Sequence, residues 1–425
     1  MPHSPLIEEL SWRGFIHQTT DKDSLSQHLK SGMRSIYIGF DATAPSLHIG
    51  SLVQIMTLRL FQKYGHRPLV IMGGGTTRVG DPSFKDESRP LLDEETITKN
   101  LASLKENFKP YLSFGGTTGA LFLDNYEWLG SLNYLDFLRE YGKHFTVNRM
   151  LSFDSVKIRL DREQPLTFLE FNYMIMQGYD FLELCKRYDC TIQCGGSDQW
   201  GNIVNGIDLT HKVLRKDLHA ITTPLITTSS GAKMGKSAKG AVWLNPEMYS
   251  HFDFWQYWRN CDDADVVRFM KLFTDLSRDE IQSFESIEGS ALNDAKKLLA
   301  NEVTRLARGT DAVEEALKTA ESLFEGSSGG YTVKSTSNNR PTLETALQVF
   351  DLEKRDYKII ELLTLSNLAT SNSEARRLIA GKAIKIEDKT IDSDSYVVDS
   401  KDFNSDGVLK LSSGKKKNVL FTTEL

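Results

Sequence analysis

Apolar positions in the first half of the chain follow two periodicities in turn. Residues 34–40 (RSIYIGF) and 68–75 (PLVIMGGG) are short apolar runs that stop at turn residues or glycines, as buried parallel strands do. Residues 48–65 and 96–112 instead place apolar side chains at helical spacing, and residues 119–125 return to a strand pattern. This order predicts βαβ units in an α/β, doubly wound, Rossmann-like parallel sheet, whose ligands bind beyond the carboxyl ends of the strands.

The pattern changes in the second half of the chain. From residue 246 to 325 it predicts helices alone, for example in ALNDAKKLLANEVTRLARG. Residues 326–341 are rich in Gly, Ser and Asn, which is typical of a linker, and residues 342–425 have the mixed pattern of a small α+β domain. We therefore predict a Rossmann-like domain over 1–245, an all-helical domain, a linker and a small C-terminal domain.

Composition narrows the class of protein without identifying a ligand. The 425 residues carry a formal net charge of −6, so a nucleic-acid partner would need a local basic patch on a mildly acidic body. The chain lacks an apolar run of membrane-spanning length and a secretory or import signal, which together predict a cytoplasmic protein. Cys185, Cys190 and Cys194 lack zinc-binding spacing, so we expect reduced thiols rather than a metal site.

One turn combines the features of a phosphate site. Residues 37–52 (YIGFDATAPSLHIGSL) run from a strand through a turn into a helix that is predicted to begin near His48. A helix N-terminus offers free N–H groups and a positive dipole end to an anion. His48 would donate to phosphate oxygens while Gly50 lets the backbone approach closely. The alternative is a helix cap or a surface histidine.

A glycine-rich loop downstream carries three cations. Residues 231–240 (GAKMGKSAKG), here called the lysine loop, place Lys233, Lys236 and Lys239 where almost nothing apolar anchors them. Because an unpaired buried ammonium is costly, the three side chains do not belong to a packed core. The lysine loop is either a solvated surface loop or a cationic segment that closes on an anion.

The two segments together resemble the HIGH and KMSKS signatures of class I aminoacyl-tRNA synthetases. Here they read HIGS (48–51) and KMGKS (233–237), in that family's order and separation and on an α/β pattern. The resemblance implies that the anion is the triphosphate of ATP. It implies phosphate contacts from Thr43, His48, Lys233 and Lys236. It implies further ATP contacts from Asp41, Gly50, Ser51, Gly196 and Asp198.

Further stretches resemble the bacterial type of tyrosyl-tRNA synthetase over the whole chain. They are 37–52, GGGTTRVGDPS (73–83), EFNYMIMQGYDF (170–181) and QCGGSDQWGNI (193–203), with the lysine loop. The family implies that the substrate's phenolic hydroxyl is held by Tyr37 and Asp180. It implies that the ammonium is held by Asp81, Tyr173 and Gln177, with Gln199 in the same pocket.

These stretches also have a purely structural interpretation. EFNYMIMQGYDF is an amphipathic helix with Phe171, Met174 and Ile175 expected in the core, and its polar residues alone would indicate a solvated face. Asp81 and Asp198 would be turn residues. The resemblance favours the binding interpretation for all of them.

The chain departs from the family pattern at five positions. Ile38 stands where the family often has cysteine and cannot hydrogen-bond a ribose hydroxyl. Ala42 replaces proline, and Ser51 has a shorter reach toward the ribose than the usual His or Asn. Thr77 and Arg78 stand where glycine and an apolar residue are frequent. We expect these differences to tune affinity rather than abolish activity.

The implied reaction needs positioning and charge stabilisation rather than a general base. The carboxylate of L-tyrosine attacks the α-phosphate of ATP, giving tyrosyl-adenylate and pyrophosphate, and the tyrosyl group then passes to the 3′ end of tRNA(Tyr). Phenylalanine would leave a buried carboxylate and phenol of the pocket unpaired. We expect no tightly bound cofactor and no protein metal site, with Mg²⁺ accompanying ATP as substrate.

The C-terminal domain supplies the missing basic patch. Residues 362–391 resemble a small RNA-binding domain named after a ribosomal small-subunit protein, in which a helix pair presents basic side chains beside a hairpin. The matching cations are Arg376, Arg377, Lys382 and Lys385, and GKKK (414–417) adds to them. The alternative is a solvated helix face with a lysine cluster on an edge strand.

An aromatic-rich insertion predicts a homodimer. Residues 125–165 are rich in aromatic and aliphatic side chains between segments that carry the motifs. In the family such an insertion forms a two-fold interface; the alternative is an internal helix pair.

Three other functions remain open on the sequence. A tryptophanyl-tRNA synthetase shares the motifs, but Tyr37, Asp180 and the C-terminal domain argue against it. A nucleotidyltransferase with an HxGH-type site would lack the lysine loop. A non-catalytic RNA-binding protein would not need His48, Lys233 and Lys236.

Overall fold

The computed structural model describes residues 2–81, 92–229, 231, 234–237, 240–287, 289, 291–324, 333–335, 341–343, 348–352, 355–387, 389–404, 407–414 and 417–423. The helices, in chain order, are α1 Pro5–Arg13, α2 Lys22–Lys30, α3 Leu52–Lys63, α4 Glu94–Glu106, α5 Tyr126–Leu129, α6 Tyr134–Glu140, α7 Val147–Leu151, α8 Asp154–Asp161, α9 Phe168–Tyr188, α10 Trp200–Leu214, α11 His251–Arg259, α12 Val266–Phe273, α13 Arg278–Gln282, α14 Ala291–Arg308, α15 Thr310–Phe324, α16 Ile359–Leu365 and α17 Asn372–Ala380. The strands are β1 Gln18–Thr19, β2 Ser35–Phe40, β3 Arg67–Met72, β4 Leu121–Asp124, β5 Cys190–Gly196, β6 His219–Thr223, β7 Lys236–Ser237, β8 Gly240–Ala241, β9 Val333–Ser335, β10 Pro341–Leu343, β11 Gln348–Leu352, β12 Tyr357–Lys358, β13 Ile384–Ile386, β14 Lys389–Thr390, β15 Val397–Val398, β16 Val408–Ser413 and β17 Lys417–Thr423.

The predicted parallel sheet is confirmed. Its strand order is β1-β6-β5-β2-β3-β4, and every pairing except that of β1 with β6 is parallel. β2 is central: Tyr37 lies opposite Leu69 of β3 and Gln193 of β5. The carboxyl ends of β2, β3 and β5 therefore meet at one edge of the sheet, where a doubly wound fold binds its ligands.

Helices α9 and α10 cross at two glycines. A methyl group on Gly178 would lie 3.4 Å from the backbone nitrogen of Gly206, and one on Gly206 would lie 3.0 Å from the side chain of Phe181. The contact at Gly178 is an ordinary van der Waals distance, whereas a side chain at Gly206 would require Phe181 or its helix to shift. On α9, Met174 and Ile175 are buried as predicted, whereas Phe171 is half-buried beside them.

Two predicted helices have different limits in the structure. The segment 48–65 begins as a 3₁₀ turn over Ile49–Ser51 before α3, and it ends at Gly65 with φ +85°. The segment 96–112 is helical only as α4, which starts behind the Asp93 cap and ends at Glu106, with Asn107 as its C-cap. Residues 107–111 form turns, and Pro110 among them lacks the N–H that a continued helix would need.

The described chain divides into two compact units, one of 1–249 with 254–310 and one of 250–253 with 311–425. The domain boundary at residue 245 stays a prediction from composition. The helices of 254–310 stay with the sheet because Arg13, at the end of α1, donates to the backbone oxygens of Lys271, Thr274 and Leu276 over 2.6–3.0 Å. Arg59 of α3 likewise binds Asp275 at 2.6 Å.

The second unit contains the predicted small α+β domain. Its five-stranded sheet has the order β11-β17-β16-β13-β14, and α16 and α17 pack against an apolar core that includes Leu363, Ile379 and Phe421. Most of the predicted linker 326–341 lies outside the described residues. Among the described residues, no helix is long and apolar enough to cross a membrane.

Candidate active site

A cavity of about 450 Å³ opens at the carboxyl edge of the sheet. Its walls come from the ends of β2, β3 and β5, from α9 and from the turn that follows β2. The structure brings thirteen sequence-predicted residues to this one cavity: Tyr37, Asp41, Thr43, His48, Gly50, Ser51, Asp81, Tyr173, Gln177, Asp180, Gly196, Asp198 and Gln199.

The deep end of the cavity holds a carboxylate and a phenol. Asp180 accepts hydrogen bonds from Asn125 Nδ2 at 3.0 Å and from Trp128 Nε1 at 2.7 Å. Burial raises the pKa of Asp180 to about 7, although both bonds oppose this rise. The Tyr37 hydroxyl has no hydrogen-bond partner among the described residues, and burial together with the charge of Asp180 raises its pKa.

A chain of hydrogen bonds runs along one wall. Tyr173 donates to Asp41 Oδ2 at 3.0 Å, and Thr76 donates to Asp41 Oδ1 at 2.8 Å. Asn125 donates to Thr76 Oγ1 at 3.1 Å, which connects this pair to Asp180. Asp41, predicted among the ATP contacts, is therefore bonded to Tyr173, which was predicted to meet the ammonium.

A second group of cavity residues, here called the acceptor-rich wall, is ordered by amides. Gln199 Nε2 donates to Asp81 Oδ2 at 2.8 Å and to Asp198 Oδ2 at 3.2 Å, and Gln199 Oε1 accepts from Asn202 at 3.1 Å. The side-chain oxygens of Gln177 and Gln193 are buried without a partner among the described residues. This wall therefore presents hydrogen-bond acceptors to the cavity.

His48 occupies the start of the 3₁₀ turn before α3, so it is a helix cap as well as a cavity residue. Its Nδ1 accepts from the Gly50 N–H at 3.0 Å, which requires the proton of the neutral ring to lie on Nε2. A methyl group on Gly50 would lie 2.6 Å from His48 Cε1. The position beside this ring therefore requires glycine, as the sequence predicted.

The lysine loop approaches the same histidine. Met234 is buried, its backbone oxygen lies near Gly50, and Gly235 is close to the His48 ring. Lys233 and Lys239 lie outside the described residues, and for Lys236 the structure describes the backbone, in β7, but not the side chain. The predicted lysine contacts stay predictions.

Sequence reasoning missed several polar residues of the cavity lining, among them Ser46, Gln54, Thr76, Asn125 and Gln193. It also missed Trp128, which does not line the cavity but donates to Asp180. Asn125 and Trp128 directly follow the carboxyl end of β4, and Thr76 follows that of β3, which is where ligand contacts concentrate in such sheets. Gln193 is a polar residue in an otherwise apolar strand. Their positions within or after these strands were the sequence signals that could have identified them.

The departures from the family pattern make specific contacts. Ile38 lines the cavity as an apolar residue. Thr77 Oγ1 accepts from the Ala42 N–H at 2.8 Å. Arg78 lies 3.9 Å from the ring centre of Tyr126 and pairs with Glu94.

The four cations predicted to bind RNA are exposed in the second unit. Arg376 and Arg377 lie on α17, Lys382 in the following turn and Lys385 on β13. Arg376 contacts Asp394 at 3.2 Å in an exposed pair. Lys415 and Lys416 of the GKKK run lie outside the described residues.

No group of three His, Cys, Asp or Glu side chains in the described part of the chain could hold a metal ion. Cys185, Cys190 and Cys194 are buried free thiols. Burial raises the pKa of Cys194 to about 12, so this thiol stays protonated.

Comparison with known proteins identifies the family. The family model of class I tRNA synthetases for Trp and Tyr matches residues 30–325, and that of the tyrosine–tRNA ligase C-terminal domain matches residues 342–421. The tyrosine–tRNA ligases of Brucella abortus strain 2308 and Bartonella quintana are 52% and 53% identical over 418 residues, which is 98% of this chain and 98% of each relative.

Solved structures agree with these relatives. A C-terminally truncated mitochondrial tyrosyl-tRNA synthetase from Aspergillus nidulans is 30% identical, with a TM-score of 0.67 over 75% of this chain and 94% of that one. The tyrosyl-tRNA synthetase of Archaeoglobus fulgidus, solved with L-tyrosine, is 15% identical with a TM-score of 0.53, a likeness of fold. The first family model admits tryptophan or tyrosine, but the second model and the full-length relatives decide between them. The chain belongs to the tyrosine–tRNA ligases, a family of class I aminoacyl-tRNA synthetases.

Proposed function

We propose that the cavity binds L-tyrosine with its phenolic hydroxyl between Tyr37 and Asp180. The observation that carries this proposal is the buried Tyr37 hydroxyl, which has no partner among the described residues and lies within the electrostatic influence of Asp180. A substrate hydroxyl would satisfy both groups at once. Phenylalanine would leave them unpaired in a buried site, which is costly.

The acceptor-rich wall suits the substrate's ammonium. Gln177 Oε1 is buried without a described partner, and Asp81 and Tyr173 line the same cavity. Gln193 offers a second buried oxygen, so we add it to the ammonium contacts that the sequence predicted. Gln199 orients Asp81 through its 2.8 Å hydrogen bond.

ATP occupies the side of the cavity formed by the turn after β2. The Nε2–H of His48 and the hydroxyl of Thr43 donate to the phosphates, and Lys233 and Lys236 close from the lysine loop. Gly50, Ser51, Gly196 and Asp198 also line the cavity and hold the nucleoside. The tyrosine carboxylate, already ionised, attacks the α-phosphate in line, so the protein supplies position and charge.

Magnesium enters as part of the MgATP substrate. The described residues offer no cluster of three metal-binding side chains, so the triphosphate oxygens and water would supply its ligands. Its chemistry is to neutralise charge on the departing pyrophosphate.

The insertion 125–165 forms the interface of a homodimer. Its helices, with the start of α9, expose large apolar side chains that a soluble monomer rarely leaves together: Tyr134, Leu135, Val147, Leu160 and Phe168. Leu135 and Phe168 are 73% and 70% exposed. Covering them requires a second copy of the chain.

The second unit binds tRNA(Tyr) through its cations. Arg376, Arg377, Lys382 and Lys385 follow one another along α17, the next turn and β13, and all are exposed. They supply the local positive charge that a chain of net charge −6 lacks overall.

The direct test is ATP–pyrophosphate exchange with and without L-tyrosine. We expect exchange that depends on tyrosine and is not supported by L-phenylalanine. Exchange supported equally by phenylalanine would contradict the proposed hydroxyl site.

Tyr37→Phe should weaken tyrosine binding about fivefold, because it removes one hydrogen bond worth about 1 kcal/mol. It should not lower the free energy of unfolding of the empty protein, since the hydroxyl lacks a described partner there. Tyr111→Phe is the matched control, because Tyr111 also has a buried, unpartnered hydroxyl but lies outside the cavity lining. Dialysis and urea denaturation measure the two effects. Equal tyrosine affinity in both variants would refute the assignment.

Tyrosine binding should weaken as pH falls below 7. Because the pKa of Asp180 is raised to about 7, the carboxylate is ionised above that pH and protonated below it, and protonation sets an O–H against the Asn125 and Trp128 donors. From pH 7.5 to 5.5 the Kd should rise about 20-fold. Asp41 and Asp124 also act on this pKa, so Asp180→Asn is the control: it should abolish the pH dependence. A slope that persists in Asp180→Asn would assign the titration to another group.

Leu135→Asp combined with Phe168→Asp should convert the dimer into a monomer, since two charges would be buried unpaired at the interface. Light scattering at micromolar concentration measures the mass. Val397→Asp, a change at a 45%-exposed apolar residue of the second unit, should leave the mass unchanged. A monomeric mass for the unmodified protein would disprove the dimer.

Replacing Arg376, Arg377 and Lys382 together by alanine should weaken tRNA binding and leave pyrophosphate exchange intact. The slope of log affinity against log salt should fall by about one for each phosphate that the variant no longer binds. Lys401→Ala, at an exposed lysine of the same unit, serves as the control. If exchange and tRNA charging declined equally, the cations would have a structural role instead.

A further inference from the structure

The buried face of α4 carries two amides where apolar side chains are expected. Ile97 and Leu104 face the core, and Asn100 lies between them with 5% exposure. Asn107, directly after the helix, is 7% exposed. Burying an amide is costly unless its polar atoms are hydrogen-bonded, so the partners of these two residues are informative.

Both amides bind the turn that leads from β2 to His48. Asn100 Nδ2 donates to the backbone oxygen of Ala42 at 2.8 Å. Asn107 Oδ1 accepts from the backbone N–H of Leu47 at 2.7 Å and from Ser46 Oγ at 3.1 Å. Asn100 therefore holds the turn near its start, at Ala42, and Asn107 holds it at its end, at Leu47.

The turn depends on such contacts because residues 43–46 are bends, outside helix and strand. Ser46 Oγ also accepts from the Asn245 N–H at 3.0 Å, and the Leu244 N–H donates to the Leu47 oxygen at 2.8 Å. Asn107 thus binds the turn where it also meets the segment that follows the lysine loop.

We propose that Asn100 and Asn107 are positioning residues for the ATP step. Neither belongs to the described lining of the cavity, but the turn they hold carries Thr43 and presents His48. A displacement of about 1 Å in donors of this kind costs about 100-fold in rate. The inference rests on the proposed binding of ATP at this turn, and it assigns α4 a role in ATP use and none in tyrosine binding.

One amide acts as a hydrogen-bond donor and the other as an acceptor, so the same substitution, to aspartate, has different expected effects at the two positions. Asn107 accepts, and an aspartate there would still accept from Leu47 and Ser46. Asn100 donates, and an aspartate there would set a carboxylate against the Ala42 oxygen. Asn107→Asp should therefore stay within about threefold of the unmodified protein, whereas Asn100→Asp and Asn107→Leu should lose about 10- to 100-fold.

The quantities to measure are kcat/KM for ATP in pyrophosphate exchange at saturating tyrosine, and the tyrosine Kd without ATP. We expect kcat/KM to fall while the tyrosine Kd stays unchanged within twofold, which also shows that each variant is folded. A variant that fails to fold is replaced by Asn100→Ala or Asn107→Ala, which place no charge in the core.

Two results would overturn the inference: tyrosine affinity that falls as much as ATP use, or Asn107→Asp as impaired as Asn107→Leu. Unchanged ATP use in all variants would overturn it too, while leaving the proposed function intact. Absence of tyrosine-dependent exchange in the unmodified protein would instead overturn the proposed function and this inference with it.

Discussion

The side-chain amide of Asn125 joins three segments of the chain through its hydrogen bonds. Its oxygen accepts from the Gly75 N–H at 2.7 Å, and its nitrogen donates to Thr76 and to Asp180. Asn125 follows β4, the glycine turn follows β3, and Asp180 lies on α9, so a single side chain fixes the end of the sheet against the long helix. A buried carboxylate is tolerated only when hydrogen-bonded, and the cavity depends on this arrangement.

The sequence patterns predicted β2 and β3 well because both strands are largely buried and therefore read as continuous apolar runs. The parallel topology explains why residues far apart in the chain, such as Asp41 and Gln199, line one cavity: each follows a strand whose carboxyl end lies at the same edge. Hydrogen bonds between side chains that are far apart in the sequence were harder to predict. No local signal indicates that Asp41 accepts from Tyr173, because that bond depends on how α9 lies across the sheet.

The limits of helices were predicted less accurately, for a physical reason that is visible in the structure. α4 ends at Glu106, four residues before Pro110, whereas apolar spacing alone extended the predicted helix to residue 112. The helices after residue 254 have the composition of a separate domain, yet Arg13 uses its guanidinium to bind three backbone oxygens at the end of α12. Together with the Arg59–Asp275 pair, these bonds tie α12 to α1 and α3, and composition cannot reveal such interactions.

Ala42 and Thr77, two departures from the family pattern, form a hydrogen bond with each other. Ala42 has a backbone N–H where the family pattern has proline, which has none, and Thr77 supplies the oxygen that accepts from it at 2.8 Å. A buried N–H without a partner would be costly, so the alanine is tolerated because the threonine is present. The two departures therefore depend on each other. Replacing Ala42 by proline, or Thr77 by glycine, would leave the other residue's polar atom without this partner.

The close crossing of Gly178 and Gly206 sets the spacing between two groups of cavity residues. Tyr173, Gln177 and Asp180 project from α9, and Gln199 directly precedes α10. A methyl group on Gly206 would lie 3.0 Å from Phe181, so a larger residue there would shift one helix relative to the other. The shape of the cavity therefore depends on a residue that does not line it, and a search for variants with altered binding has to include this crossing as well as the lining.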